Sequence, residues 1–349
     1  MSLFRTGLST GTCAAAAAKA ATMVLTGVSA PTAVEIGLPD GSRVCLALVR
    51  VAGDRVSAEA AVCKDAGDDP DVTHTAEIVA TVSRAAHSEV RFRAGEGVGI
   101  VTRPGLSVLP GEPAINPVPR AMIRAAIREV TTIGVDVMVA IPGGAELAAK
   151  TFNPRLGVVG GLSILGTTGR VRPFSTPAMQ EALRCSVRVA RACGIVAPVL
   201  VPGHIGERAA RKHFRLAPEQ VLEAGNAWGF MLDEARGAPF ERVLLVGHPG
   251  KLGKLAEGHW DTHSSHSEGA FSSIVWLARV ELGFVVPDRP TVEGLFAGLP
   301  AEDRGRLART LAARVQTSVA ARCFLPVAVT LVDMQGEILG AAGELTPWQ

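Results

Sequence analysis

A chain of 349 residues, 48% hydrophobic and 19% charged, is too apolar for intrinsic disorder and long enough for two domains, each burying a core without disulfide staples. A net charge of +2 and 4% aromatic residues, with no tyrosine, exclude a broadly basic or base-stacking surface for nucleic acid. No apolar run reaches the length of a membrane span, and the six cysteines form no CxxC pair, so the thiols fit a reducing cytosol rather than a zinc ribbon or a redox motif.

Residues 5–13 read RTGLSTGTC and run into alanines 14–18. This is a Gly/Ser/Thr turn feeding a strong helix former. Lys19 breaks the apolar run, which argues against a signal peptide. The first amides of such a helix suit an anion, with the Thr10 and Thr12 hydroxyls beside Gly11. An ordinary threonine cap reads equally well. The glycine spacing is not that of a P-loop. Segments 34–38 and 44–51 alternate around Pro39-Asp40-Gly41 and predict a hairpin, and 55–62 predicts another strand. The acidic run DAGDDPDVTH over 65–74 misses the calcium-loop spacing and reads as a solvated turn. Asp71 and His74 can instead face a ligand as acid or base groups.

Segment 89–94 alternates as a half-exposed strand. GEGVG at 95–99 looks like a dinucleotide fingerprint, but a strand and a turn follow it where that motif needs a helix. GEPAINPVP at 111–119 is a rigid loop leading to a helix over 119–130, with Arg120 at its start and Arg124 and Arg128 on a solvated face. A β-branched run at 135–141 ends in Pro142-Gly143-Gly144. Then comes NPRLGVVGGLSILGTTGRVRPFS, 153–175, with five glycines, Thr167, Thr168, Arg170 and no acid. Glycines permit close approach, and hydroxyls and guanidiniums without acids suit an anion. A glycine-rich connection between two domains fits the same residues.

Beyond 175 the pattern changes. Helices over 176–193, 204–214 and 228–235 alternate with apolar runs at 195–201, 220–223 and 242–246. Alternation of this kind predicts a parallel sheet with crossover helices and ligand loops at the strand carboxyl ends. Those loops are expected at 202–204, 225–226 and 247–254, the last holding Gly247 and Lys251. Histidines 259, 263 and 266 cluster, but no Glu follows the first, so a polar loop is preferred to zinc. Helices over 270–281, 291–296 and 302–321 and strands at 325–333 and 337–339 complete the chain.

Six stretches together resemble the cobalt-precorrin-5B C(1)-methyltransferases of vitamin B12 synthesis: RTGLSTGTCAAAAAKAA, DAGDDPDVTH, GEGVGIVTRPGL, GEPAINPVPR, TFNPRLGVVGGLSILGTTGRVRPFS and VGHPGKLGKLAEG with THS following. They come in the family's order and span 5–264. The resemblance implies methylation of C1 of cobalt-precorrin-5B to cobalt-precorrin-6A, with S-adenosylmethionine as donor, a cobalt-corrin as acceptor and no protein-bound metal. It also implies a cytoplasmic enzyme with no nucleic-acid or membrane partner, and leaves a homo-oligomer open.

The fold expected is an α+β domain over 1–174, followed over 175–349 by an α/β domain with a mostly parallel, Rossmann-like sheet. The expected binding set is Thr10, Gly11, Thr12, Arg103, Asn116, Arg120, Gly161, Thr167, Thr168, Arg170, Gly247 and Lys251. Asp71, His74 and His263 are the base candidates. His259 and His266 are not carried over, because 259–261 departs from the family pattern. The competing readings are a kinase-like phosphate- or nucleotide-binding enzyme, which lacks a P-loop, and a tetrapyrrole carrier without catalysis.

Overall fold

The computed structural model describes residues 4–267 and 269–349. The chain divides into two compact units, one running up to Thr176 and one starting at Pro177. Both mix helix with strand, and their sheets contain parallel and antiparallel pairs.

The first unit runs β1 (Gly7–Leu8), α1 (Thr10–Leu25), β2 (Ala33–Gly37), β3 (Arg43–Ala47), β4 (Arg50–Gly53), β5 (Ser57–Cys63), β6 (Glu77–Arg84), β7 (Val90–Ala94), β8 (Ile100–Val101), α2 (Pro117–Arg128), β9 (Val135–Ala140), α3 (Gly144–Ala148), β10 (Val158–Val159) and β11 (Arg170–Val171). Its main sheet has the order β4-β5-β6-β9-β7, antiparallel except between β7 and β9. Alanines 14–18, 20 and 21 of α1 are wholly buried. Small side chains let this helix lie close against β5, β6 and α2. A helix that is apolar all round belongs inside a core. Ile123 and Ile127 of α2 complete that core, and Arg124 and Arg128 stay exposed.

Two expectations are corrected here. Segment 44–51 is not one strand. The Leu48 amide turns to Thr32 O (2.9 Å) and the Val49 amide to Ala61 O (2.8 Å), so β3 stays with β2 while β4 joins β5. The sequence reading placed no strand on 77–84, yet β6 sits in the middle of the sheet.

The second unit holds α4 (Thr176–Ala192), β12 (Val199–Val201), α5 (His204–His213), β13 (Val221–Glu223), α6 (Trp228–Gly237), β14 (Val243–Gly247), α7 (Pro249–Ala256), α8 (Phe271–Trp276), α9 (Val292–Gly298), α10 (Ala301–Cys323), β15 (Val327–Val332) and β16 (Ile338–Ala342). Its sheet has the order β13-β12-β14-β15-β16, parallel apart from the antiparallel β15–β16 pair. Alternate strand residues serve opposite faces. Val199, Val201, Leu244 and Val246 pack with Ala209 and Ala210 of α5 and with Trp348. Leu200, Leu222, Val243 and Leu245 pack with α4, α6, α7 and α10. Both faces are therefore covered, as a parallel sheet requires. The expected loop over 247–254 is corrected to His248 alone, between β14 and α7. Pro249 opens α7, where a fixed φ and a missing N–H suit a first helical position.

Candidate functional site

The glycine-rich stretch is neither a free loop nor a plain linker. Val158 and Val159 pair with Val101 and Ile100. The Leu162 amide donates to Gly97 O (2.8 Å), and Leu162 O accepts from the Gly99 amide (2.9 Å). Ile164 exchanges bonds with the loop before α2, donating to Ala114 O (2.8 Å) and accepting from the Asn116 amide (3.0 Å). Leu165 then crosses the start of α1, its carbonyl accepting from the Gly11 amide (3.1 Å) and its amide donating to the Thr10 hydroxyl (3.0 Å). Gly169 O accepts from the Ser9 amide (3.0 Å) and from the Thr12 hydroxyl (2.6 Å). Arg170 and Val171 finish by pairing with Leu8 and Gly7. Each such bond contributes about 1 kcal/mol net, so together they hold one backbone course.

This geometry changes the role of several expected ligand groups. Thr10, Gly11 and Thr12 are buried, and the Gly11 and Thr12 amides are taken by Leu165 O and Ser9 Oγ. They hold the stretch in place rather than facing an anion. Gly161 is pressed against backbone, since a Cβ there would lie 2.2 Å from Gly97 O. Arg120 turns its guanidinium inward to Ile115 O (2.7 Å), Pro113 O (3.0 Å) and Glu112. Arg103 lies across Gly157 and donates to Arg155 O (3.0 Å). Thr167 and Thr168 are exposed, and Arg170, half-buried, reaches Ser42 Oγ at 3.4 Å. Of the expected binding groups in this unit, Thr167, Thr168 and Arg170 on the 165–172 turn keep exposed or half-buried side chains.

The acidic run is tied to the same assembly. The Leu8 amide donates to Asp65 O (2.8 Å), Arg5 pairs with Asp65, and the Arg5 amide donates to Asp68 (2.6 Å). The Arg5 guanidinium and the Gly67 amide hold the Asp65 carboxyl down at about 2. Burial and the nearby Asp71 raise Asp69. Asp71 meets the buried Lys64 ammonium at 2.7 Å and accepts from the Thr73 hydroxyl (2.6 Å) and amide (2.8 Å). Burial pushes its carboxyl up, but these donors outweigh it and leave Asp71 below the usual range. An ion-paired carboxylate with a lowered pKa is a weak proton acceptor. His74 is exposed and its Nδ1 accepts from the Ala66 amide (3.1 Å), so that nitrogen is engaged. His263, in the second unit, is exposed and bonded to Ser265 Oγ (2.7 Å).

In the second unit, polar groups gather where β12, β13 and β14 end. Lys251, in the first turn of α7, donates to the Asn226 side chain after β13. Asn226 also receives the Thr262 amide at its backbone carbonyl (3.1 Å) and the Thr262 hydroxyl at its side chain (3.3 Å). The buried Lys254 ammonium is held by Thr262 O (3.1 Å) and Ser267 Oγ (2.9 Å), which fixes the 262–267 turn. His248 caps α7 by accepting the Gly250 amide at Nδ1 (3.0 Å), so Nε2 carries the proton shared with Glu293 (3.0 Å). Gly247 lies against Pro202 of the β12 loop, which leaves no room for a side chain. Sequence reasoning missed Lys64, since a lone lysine carries no motif; Asn226 and Lys254 fell inside the expected loops at 225–226 and 247–254 without being singled out.

The fold and these clusters define a mixed α/β protein whose polar side chains converge on glycine-rich turns and strand ends. The family profile CbiD matches residues 2–173. A cobalt-precorrin-5B C(1)-methyltransferase from Syntrophotalea carbinolica is 54% identical over 345 residues, covering 98% of each chain. The protein of the same name from Desulfitobacterium hafniense is 42% identical, covering 96% of this chain and 89% of its own. The one from Pseudomonas aeruginosa is 41% identical over 97% and 96%. Among solved structures, the cobalamin biosynthesis protein (cbiD) from Archaeoglobus fulgidus is 29% identical, covers 75% of this chain and 83% of its own, and superposes with a TM-score of 0.40. The chain belongs to the cobalt-precorrin-5B C(1)-methyltransferase family.

Proposed function

We propose that this chain methylates C1 of cobalt-precorrin-5B, giving cobalt-precorrin-6A, with S-adenosylmethionine as the donor. The observation that carries the reading is 54% identity over 98% of both chains with a protein of that activity by name. The reaction breaks an S–CH3 bond and makes a C–CH3 bond at C1, and the cobalt arrives with the substrate. Aligning the two reacting atoms is the protein's main task, a contribution that can reach roughly 7–11 kcal/mol.

A corrin precursor is a flat ring rimmed by carboxylates. Thr167, Thr168 and Arg170, presented by the 165–172 turn, are the donors we assign to them, with Arg172 exposed beside them. A charge-assisted bond of this kind contributes about 1.5–3 kcal/mol when shielded from water. Thr10, Gly11, Thr12, Asn116, Arg120 and Gly161 act by shaping that turn. We read the second unit as Rossmann-like, which the parallel order β13-β12-β14-β15 and helices on both faces support. Six free cysteines and a biosynthetic role support a cytoplasmic location.

The test is incubation with cobalt-precorrin-5B and S-adenosylmethionine. A product heavier by one methylene, and S-adenosylhomocysteine in equal amount, are expected by mass spectrometry. No added mass overturns the reading. Arg170→Ala is expected to raise the KM for the corrin about tenfold or more with little change in kcat. An unchanged KM removes the anion role of the turn.

A further inference from the structure

The carboxyl ends of the second unit's strands carry an arrangement that the methyl-transfer reading has not used. β12 leads through α5, on one face of the sheet, to β13 at the edge. β13 leads through α6, on the other face, to β14 on the far side of β12. The chain thus reverses its travel across the sheet beside β12. At such a point the loops leaving two neighbouring strands part towards opposite faces, and a crevice opens beyond their ends.

The residues at the carboxyl ends of β12 and β13, beside that point, are specific. The loop after β12 reads Pro202-Gly203-His204-Ile205-Gly206. Gly206 is needed for packing, because a Cβ there would lie 2.5 Å from Val246 O, and α5 therefore seats directly on β14. Glu223 Oε1 lies 3.7 Å from where a Gly203 Cβ would stand, an ordinary contact distance. Glu223 is the last residue of β13, so its carboxylate stands beside the bare backbone of the neighbouring strand end. Two residues on, Gly225 has a φ of +58°, and among the described residues nothing beyond its chain neighbours lies within 4 Å of its absent Cβ. Bare backbone at one strand end, a carboxylate from the next, and open space over Gly225 suit a flat polar ligand bearing vicinal hydroxyls. A carboxylate accepts two hydrogen bonds side by side, and glycine lets the ligand approach closely.

We propose that these loops bind the nucleoside of the methyl donor, with Glu223 accepting hydrogen bonds from the ribose hydroxyls over Gly203 and Gly225. The proposal rests on the methyl-transfer reading and deepens it by assigning the donor's residues. A carboxylate in this position also repels a 2′-phosphate, so phosphorylated ribose is selected against.

The experiment is titration calorimetry on the full chain with S-adenosylhomocysteine and its 2′-deoxy analogue, using wild type, Glu223→Gln and Glu223→Ala. The wild type is expected to bind S-adenosylhomocysteine, and each variant to bind it about 10–100-fold more weakly. Removing the 2′-hydroxyl should cost the wild type part of that factor and cost Glu223→Ala nothing further, a coupling that a general folding defect does not produce. Equal affinities of wild type and Glu223→Gln overturn this inference and leave methyl transfer standing. Tighter binding of ATP than of S-adenosylhomocysteine, with the same dependence on Glu223, overturns the assignment to the donor. A wild type that neither binds S-adenosylhomocysteine nor transfers methyl overturns both readings.

Discussion

Lys64 shows how far one side chain can redirect a functional reading. It is 1% exposed, and its ammonium is neutralised by Asp71 at 2.7 Å. Removing one partner of a buried pair strands the other charge, which costs about 3–5 kcal/mol. Asp71→Asn should therefore lower stability at pH 7 by about 3 kcal/mol, read as the urea midpoint. The pH dependence has a definite sign. The Asp71 carboxyl titrates lower in the folded protein than in the unfolded chain, where about 3.9 is usual. Its contribution is complete above about pH 4 and is lost as pH falls through the folded value. Asp65 and Glu129, both held at about 2 by their cations, act in the same direction. Wild type should lose stability between about pH 4 and pH 2, and Asp71→Asn should lose less of it. Superimposable acid profiles for the two proteins would contradict the pairing. The carboxylates of 65–71 were legible in the sequence because four of them crowd one turn. Lys64 was not, because a lysine before an acidic run looks solvated until β5 and β6 close around it. Its backbone continues their pairing, donating to Ala76 O (2.9 Å) and accepting from the Thr75 amide (2.8 Å).

At the scale of elements, the 153–175 stretch gains its shape from the strands and helices it crosses. Two adjacent glycines separate shape from flexibility. Gly161 has an ordinary φ, but any Cβ collides with Gly97 backbone at 2.2 Å, so Gly161→Ala should destabilise by about 3 kcal/mol. Gly160 has φ +85° and open space around it, so Gly160→Ala should cost about 1 kcal/mol, the strain of the left-handed region alone. Urea denaturation of the two variants checks the contrast, and equal losses would mean that Gly97 yields. Thr12→Val keeps the shape and removes the 2.6 Å bond to Gly169 O. It should cost about 1–2 kcal/mol and loosen the turn bearing Arg170, visible as faster amide exchange at 165–171. Local patterning explains what was readable at this scale. The alanine run announced α1 and the Pro-rich loop announced α2, because propensity and capping are written in neighbouring residues. β6 was overlooked because its middle is buried at Ile78, Val79 and Ala80 in succession, which hides the alternation of a half-exposed strand. The break between β3 and β4 was hidden because Leu48 and Val49 find their partners at Thr32 and Ala61, distant in sequence.

The whole molecule contains two cores of different construction. The first gathers α1 and α2 on a largely antiparallel sheet, and the second sandwiches a parallel sheet between its own helices. The change of pattern after 175 was legible because helices and apolar runs begin to alternate there, whereas which polar groups meet at the strand ends depends on strand order, and strand order is set by packing. All four tryptophans, Trp228, Trp260, Trp276 and Trp348, lie in the second unit. Trp228 and Trp348 are almost wholly buried. Tryptophan fluorescence therefore follows the unfolding of the second core, while far-ultraviolet circular dichroism follows both. Two cores that each bury their own apolar surface are expected to unfold in separable steps, so the two signals should give different urea curves. If the donor's nucleoside sits at the ends of β12 and β13, S-adenosylhomocysteine at a hundred times its Kd should stabilise the fluorescence transition by about 2.7 kcal/mol. The part of the dichroism change that fluorescence does not share should stay where it was. Coincident curves that shift together with ligand would mean that the two cores unfold as one, and a ligand shift confined to the dichroism would place the donor on the first unit.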